Sequence, residues 1–419
     1  MKTLFTTAIA ATILSAMPVL ADRAAVLDTY ADIAQAGYGD SLSTAQTLQA
    51  AVDTLISAPS AENLQAAKTA WLAARVPYQQ TEVYRFGNAI VDAWEGKVNS
   101  WPLDEGLIDY VGDAYGGPTD ENELAVLNVI ANPAFQLSGV EIDASEITPE
   151  LLATTLHEAD ENEANVATGY HAIEFLLWGQ DTNGFDHGAG NRSWTDYAMG
   201  DVCTNANCDR RGQYLKAATD LLVSDLEWMT AQWADGGAAR VAVTGDETAG
   251  ITAMLTGMGS LSYGETGGER MKLGLMLHDP EEEHDCFSDN THNSHFYDAM
   301  GIRNIYLGEY TRVDGLTISG ASLAALVEAA DAGVNAELVA NLTASVIALG
   351  KIKTAAEAGF SYDQMLAPGS DAGAKLITDG VNALVTQTRS IERATAALGL
   401  DGIGLEGSDS LDAPKTVFE

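Results

Sequence analysis

Basic residues are scarce in this sequence. Across 419 residues, 21 lysines and arginines stand against 60 aspartates and glutamates, a formal net charge of −39 at pH 7. A surface of that sign repels nucleic acid and anionic lipid and gathers cations from a distance. Adaptation to salt or plain solubility explains the same charge, so charge alone names no ligand. Cysteine is scarce as well, with three in all. Cys203 and Cys208, in "CTNANCDRR", are close enough for a small disulfide loop in an oxidising compartment, which leaves Cys286 over. Without a second CxxC-like pair, two cysteines do not make a zinc ribbon. No stretch beyond the N-terminus reaches about 18 uninterrupted apolar residues, which argues against a transmembrane segment.

Several catalytic signatures are also missing. "HEADE" at 157–161 ends in glutamate where HExxH needs histidine, and "HDPEEEH" is too long before its terminal Glu-His to be HxxEH. There is no GxSxG, no P-loop and no GxGxxG opening a strand–helix unit. A conventional zincin or serine hydrolase is thereby disfavoured.

The N-terminus reads as a secretory signal. Lys2 supplies the positive region, Leu4 to Leu14 a short apolar region, and "VLA" a cleavage site after Ala21. Residues 1–21 are therefore expected to be removed and the mature chain to be periplasmic or otherwise exported.

Helical periodicity dominates the remainder. Ile377, Val381, Leu384, Thr388, Ile391 and Leu398 recur at three- and four-residue steps, as do Leu48, Val52 and Leu55, and then Leu64, Ala67, Trp71 and Tyr78. "ASLAALVEAADAG" and "NAELVANLTASVIALGKIKTAAEAG" end at glycines suited to helix C-caps. Thr148-Pro149-Glu150 combines an N-cap with a first-turn proline, so a helix is expected to begin there. Alternating apolar and polar runs are scarce, and the fold class expected is all-α, in antiparallel bundles. The length exceeds what one core usually organises. A composition change near residues 236–250 sets the expected domains at 22–240 and 241–419.

The chemistry concentrates in three places. In "GYHAIEFLLWGQD", His171 and Glu174 are three apart and point to one side of a helix, at the border of its buried stripe Val166, Tyr170, Ile173 and Leu177. Gly169 just before them lets a backbone or ligand approach closely. Imidazole and carboxylate suit first-row metals, although two ligands from one helix do not complete a site. "LHDPEEEHDCFSDNTHNSHFYD" packs in His278, His284, His292 and His295, four of the seven histidines, with Glu283, Asp285 and other acids between them. In "WLAARVPYQQTEVYRFG", Trp71, Arg75, Tyr78, Glu82 and Arg85 share one helical side; Glu82 is expected to face the His171–Glu174 pair, with the arginines fixing the carboxylates and Pro77 kinking the helix.

Gly169-x-His171-x-x-Glu174 resembles the GxHxxE motif of the imelysin-like proteins, also called peptidase family M75. The flanking stretches resemble the iron-regulated protein A branch over nearly all of the mature chain. The resemblance implies two four-helix-bundle-like domains related by approximate pseudo-symmetry, with a site near their interface at the GxHxxE helix. It also implies a role in bacterial iron acquisition. On this reading the ligands of iron, or of another divalent or trivalent metal, are His171 and Glu174, completed from Glu82, His278, Glu283, His284, His292 and His295. The expected partners are the metal ion and an outer-membrane or periplasmic iron-uptake component, with no nucleic acid. Two alternatives stand beside it. One is a metallopeptidase with Glu174 or Glu82 as general base. The other is a peptide- or haem-binding module in which His171 and Glu174 only hydrogen-bond.

Overall fold

The computed structural model describes residues 22–118 and 122–418; the expected signal segment, residues 1–21, lies outside them. Helices form where the apolar steps indicated. Arg23–Ser57 is capped by Asp22 and buries Leu48, Val52 and Leu55. Ser60 caps Ala61–Gln79, which buries Leu64, Ala67, Trp71 and Tyr78. Pro77 lies inside this helix, in its last turn. The helix ends two residues later at Gln79, and the chain tightens into a 3₁₀ turn over Glu82–Gly87. Asp371–Ala397 buries Ile377, Val381, Leu384, Thr388 and Ile391, with Leu398 as its C-cap. Thr148 caps as expected, its side chain accepting from the Leu151 N–H, but the helix it starts is short and ends before His157. Cys203 and Cys208 are bonded, and Cys286 is free and buried.

Arg23–Ser57 packs along Ala61–Gln79 and Cys208–Trp233, while Ala332–Glu357 packs along Asp371–Ala397 and Thr291–Leu307. Ala332–Glu357 is long and apolar enough by composition to cross a membrane. It carries Leu338, Leu342, Leu349 and Ile352 into the core. The joint that matters for the site is Thr291–Leu307 against Ala61–Gln79. Gly301 permits it: the Gln80 carbonyl occupies the space a Cβ would take. One large apolar core draws on residues from Val26 to Ala394, and a smaller one gathers Met271, Leu349, Ile377 and Leu384.

The fold is mostly helical rather than all-α. Two antiparallel hairpins interrupt it, Ala134–Leu137 with Val140–Asp143, and Glu309–Thr311 with Thr317–Ser319. The first turns on Ser138 and Gly139, both at positive φ, the conformation a two-residue hairpin loop requires. The second turns through Asp314-Gly315. Strands of three and four residues are too short to show an alternating pattern.

Candidate metal centre

The GxHxxE helix, Gly169–Trp178, is buried on every face. His171 and Glu174 were expected at the border of the core, yet they are 1% and 0% exposed. Three contacts seat the helix. Gly169 has φ +82°, and a Cβ there would lie 2.5 Å from the Val98 carbonyl; any other residue would meet both strain and a clash. The Thr168 hydroxyl donates to the Lys97 carbonyl at 2.8 Å, and Trp71 Nε1 donates to the Tyr170 carbonyl at 2.9 Å. Helices Ala61–Gln79 and Ala89–Asn99 thus hold the start of the motif in place.

The segment 283–290 closes over it. His171 Nδ1 lies 3.1 Å from Glu174 Oε2. The other carboxylate oxygen, Oε1, accepts from the Ser288 N–H at 2.9 Å and its hydroxyl at 2.6 Å. The His171 and His284 rings meet edge to face, with centroids 4.8 Å apart. Asp285 Oδ1 lies 3.9 Å from His171 Nδ1 and 3.6 Å from His284 Nδ1. His171, His284 and Asp285 each offer a ligand atom within 4.8 Å of the others. Asp285 is fixed in turn: Arg75 Nη2 donates to Oδ1 at 2.7 Å, and Asn290 Nδ2 and the Ser294 hydroxyl donate to Oδ2 at 2.8 and 2.5 Å.

Charge decides what this pocket accepts. Burial, reinforced by Arg75, pushes His171 down to about 3, and burial also lowers His284 well below the ordinary range, so both imidazoles are neutral with lone pairs to give. Burial alone would raise Asp285, but Arg75 outweighs it and holds the carboxyl down to about 2. Glu174 is the exception. Burial and the neighbouring Asp285 anion push its pKa well up, and the Ser288 hydrogen bonds and Arg75 offset this only in part. An ionised Glu174 therefore lacks a full counter-charge, and His171 Nε2 is buried without a hydrogen-bond partner. Two neutral imidazoles, two carboxyls and one missing positive charge make a donor set that fits a first-row metal ion.

The other expected ligands lie elsewhere. Glu82 is buried but ion-paired with Arg270 at 2.8 Å, and reaches Arg75 only through Asn99. Arg270 also holds Asp298 at 3.2 Å. His278 bonds the Leu366 carbonyl at 2.6 Å, and His292 contacts the Asn293 amide. His295 is fully buried against the Tyr362 ring with neither nitrogen partnered. Glu283 faces Asp363 rather than His171. Sequence reasoning left Asp285 and Ser288 off the ligand list. Asp285 was visible only as one of several acids among the histidines, and no pattern distinguished Ser288.

A cleft of about 650 Å³ lies beside the site, lined by Trp101, Glu105, Asp181, Glu281 and Cys286 among others. Trp101 packs edge-on to His284, with centroids 5.7 Å apart, and Cys286 follows Asp285 directly.

Comparison with known proteins identifies the family and the fold. Iron-regulated protein A of Synechococcus elongatus is 42% identical over 60 residues, a match spanning 14% of this chain and 17% of that protein. Two crystal structures share the fold over almost the whole chain. One, named as a candidate iron-regulated protein A precursor from Parabacteroides distasonis, has a TM-score of 0.65 at 18% identity, covering 92% of this chain and 97% of its own. The other, an imelysin-like protein from Psychrobacter arcticum, has a TM-score of 0.56 at 15% identity, covering 91% and 98%. The imelysin (peptidase M75) family model matches residues 34–391, so the chain belongs to the imelysin family.

Proposed function

We propose that this protein binds one transition-metal ion, iron foremost, between the His171–Glu174 helix and the His284–Asp285 segment, and that it serves iron acquisition as an exported, periplasmic protein. The observation that carries the reading is the buried, only partly compensated Glu174 beside two neutral imidazoles, one with an unpartnered Nε2. A bound cation supplies the charge that Glu174 lacks, while Arg75 orients Asp285 and Ser288 orients Glu174. The names of the similar proteins support iron as the cargo, and the −39 net charge favours cation approach. On this reading, residues 22–240 and 241–419 are two bundle-like domains of approximate pseudo-symmetry. His171 and Glu174 then come from the first and His284 and Asp285 from the second. The partner that delivers or receives the ion is an outer-membrane or periplasmic iron-uptake component.

The test is metal analysis of the mature protein after anaerobic exposure to iron, beside His171→Ala and Glu174→Gln. Near-stoichiometric iron in the parent, lost in both variants, is the expected result; no iron in the parent would overturn it. A metallopeptidase is the second reading, favoured by the cleft beside His284. It requires chelator-sensitive cleavage of an unfolded protein substrate that Glu174→Gln abolishes.

A further inference from the structure

A second group of carboxylates lies apart from the histidine site. Asp181 follows the GxHxxE helix, Asp289 closes the segment after His284, and Asp363 stands in the first turn of the helix Tyr362–Leu366. Although they come from three separate stretches, each offers an oxygen within 4.8 Å of the others. Three acids alone in so acidic a protein would say little. The informative residue is Glu283, which is 0% exposed; Asp363 and the Thr291 side chain lie near it, but neither oxygen makes a well-formed hydrogen bond. Its nearest acidic neighbours are Asp363 and Asp289. Asp363 Oδ2 and Asp289 Oδ1 are likewise buried and unpartnered. The leading electrostatic influences on the four are burial and one another, with His187 beside Asp289 and no lysine or arginine among them. Asp181 is anchored through Oδ1, which accepts from the Asn183 N–H at 2.8 Å and its side-chain amide at 2.7 Å.

Carboxylates this close cannot all be ionised unless a proton or a cation lies between them. We propose that Asp181, Asp289, Asp363 and Glu283 form a second cation site, independent of the histidine site, for a hard, oxygen-preferring divalent ion of the calcium class. The donor set contains only oxygen, which suits such ions and gives softer metals no nitrogen or sulfur. Asp181 also lines the cleft of about 650 Å³, together with Glu105 and Glu281, so the site opens on an acidic approach from solvent. Occupancy would tie the stretch after the GxHxxE helix, the segment 283–290 and the helix Tyr362–Leu366 to one another. The competing arrangement is a set of shared protons, and burial raises Asp363 to about 8 in keeping with either.

The experiment is titration of the metal-stripped mature protein with CaCl2, followed by calorimetry and thermal melting. About 0.15 M NaCl screens diffuse binding to the acidic surface. Parent and His171→Ala should each bind one equivalent with a rise in melting temperature. Asp363→Asn and the half-buried Asp289→Asn should each weaken that binding by roughly tenfold or more. Retention of calcium binding in His171→Ala separates this outcome from the fate of the iron site. Should Asp363→Asn fail to fold, Asp289→Asn gives the same reading. A parent that binds no calcium overturns the proposal, as does binding unchanged in both variants. A metal-free Asp363→Asn that melts higher than the parent, with calcium leaving the parent unmoved, assigns the cluster to shared protons and overturns it as well.

Discussion

Arg75 and Asp285 stand 210 residues apart in the chain and meet at 2.7 Å, with side chains 1% and 0% exposed. Their pairing makes the segment 283–290 part of the same site as the GxHxxE helix. It also bears on the charge state of the pocket, since the Arg75 guanidinium hydrogen-bonds Asp285 and offsets the burial of Glu174 only in part. Removing one partner leaves the other charge buried alone. Arg75→Met should therefore cost about 3–5 kcal/mol in urea unfolding. The double variant Arg75→Met/Asp285→Leu should recover part of that loss; a double-variant cost equal to the sum of the single ones would deny the coupling.

Glu174→Gln separates stability from metal binding. The amide can still accept from Ser288 and can donate to a neutral His171, so it keeps the geometry without a buried carboxyl whose charge is opposed. Without metal, this variant should melt at or above the parent. With iron, the order should reverse, because the parent gains stability by binding and the variant gains less. Melting both proteins with and without a chelator checks the reversal. A variant that is less stable in both conditions would assign Glu174 a purely structural role.

Gly169 is testable against a neutral control. Gly169→Ala places a Cβ on the Val98 carbonyl at positive φ and should cost about 1–3 kcal/mol. Gly39 lies within the helix Arg23–Ser57 with nothing within 4 Å of its would-be Cβ. Gly39→Ala should be stabilising by about 0.5–1 kcal/mol. Denaturant midpoints of the two variants should move in opposite directions.

His295 sets a pH dependence. Burial lowers it from 6.5 to about 3, so below pH 6.5 the unfolded chain takes up a proton that the folded protein refuses. Stability from the neutral ring is fully present above pH 6.5 and is lost as pH falls toward 3. The stability difference between parent and His295→Gln should shrink by about 1.4 kcal/mol per pH unit across that interval, with the parent losing ground. Urea unfolding of both proteins at several pH values reads this directly; a constant difference would mean that His295 is charged in the folded state.

What the sequence made legible was whatever repeats locally. The stripes through Leu48–Leu55, Leu64–Tyr78 and Ile377–Ile391 are buried as the apolar steps indicated, and Gly169 is a point of close backbone approach. Burial of the whole GxHxxE helix was also available in principle, since the apolar run Phe175–Trp178 leaves no polar side. The hairpins were hidden in strands too short for a pattern. Among the histidines, composition pointed to the right segment but could not choose within it. Whether His284, His278 or His295 faces His171 depends on how Thr291–Leu307 docks on Ala61–Gln79, and that contact has no local period. Glu82 followed the helical spacing in sequence, but the turn after Pro77 carried it to Arg270 instead.

The docking of Thr291–Leu307 on Ala61–Gln79 has a consequence in time as well as in space. A chain emerging N-terminus first presents His171 and Glu174 more than a hundred residues before His284 and Asp285 arrive. Until then, Arg75 has no Asp285 to hold and the His171–Glu174 pair has no floor. An incomplete or partly unfolded chain would thus be poorly equipped to hold the proposed ion, and the same joint, if loosened in the finished protein, would let it go. Under the proposed function, capture and release would be two directions of one docking event, and a partner favouring the loosened form would weaken metal binding by the factor by which the metal weakens that partner's binding.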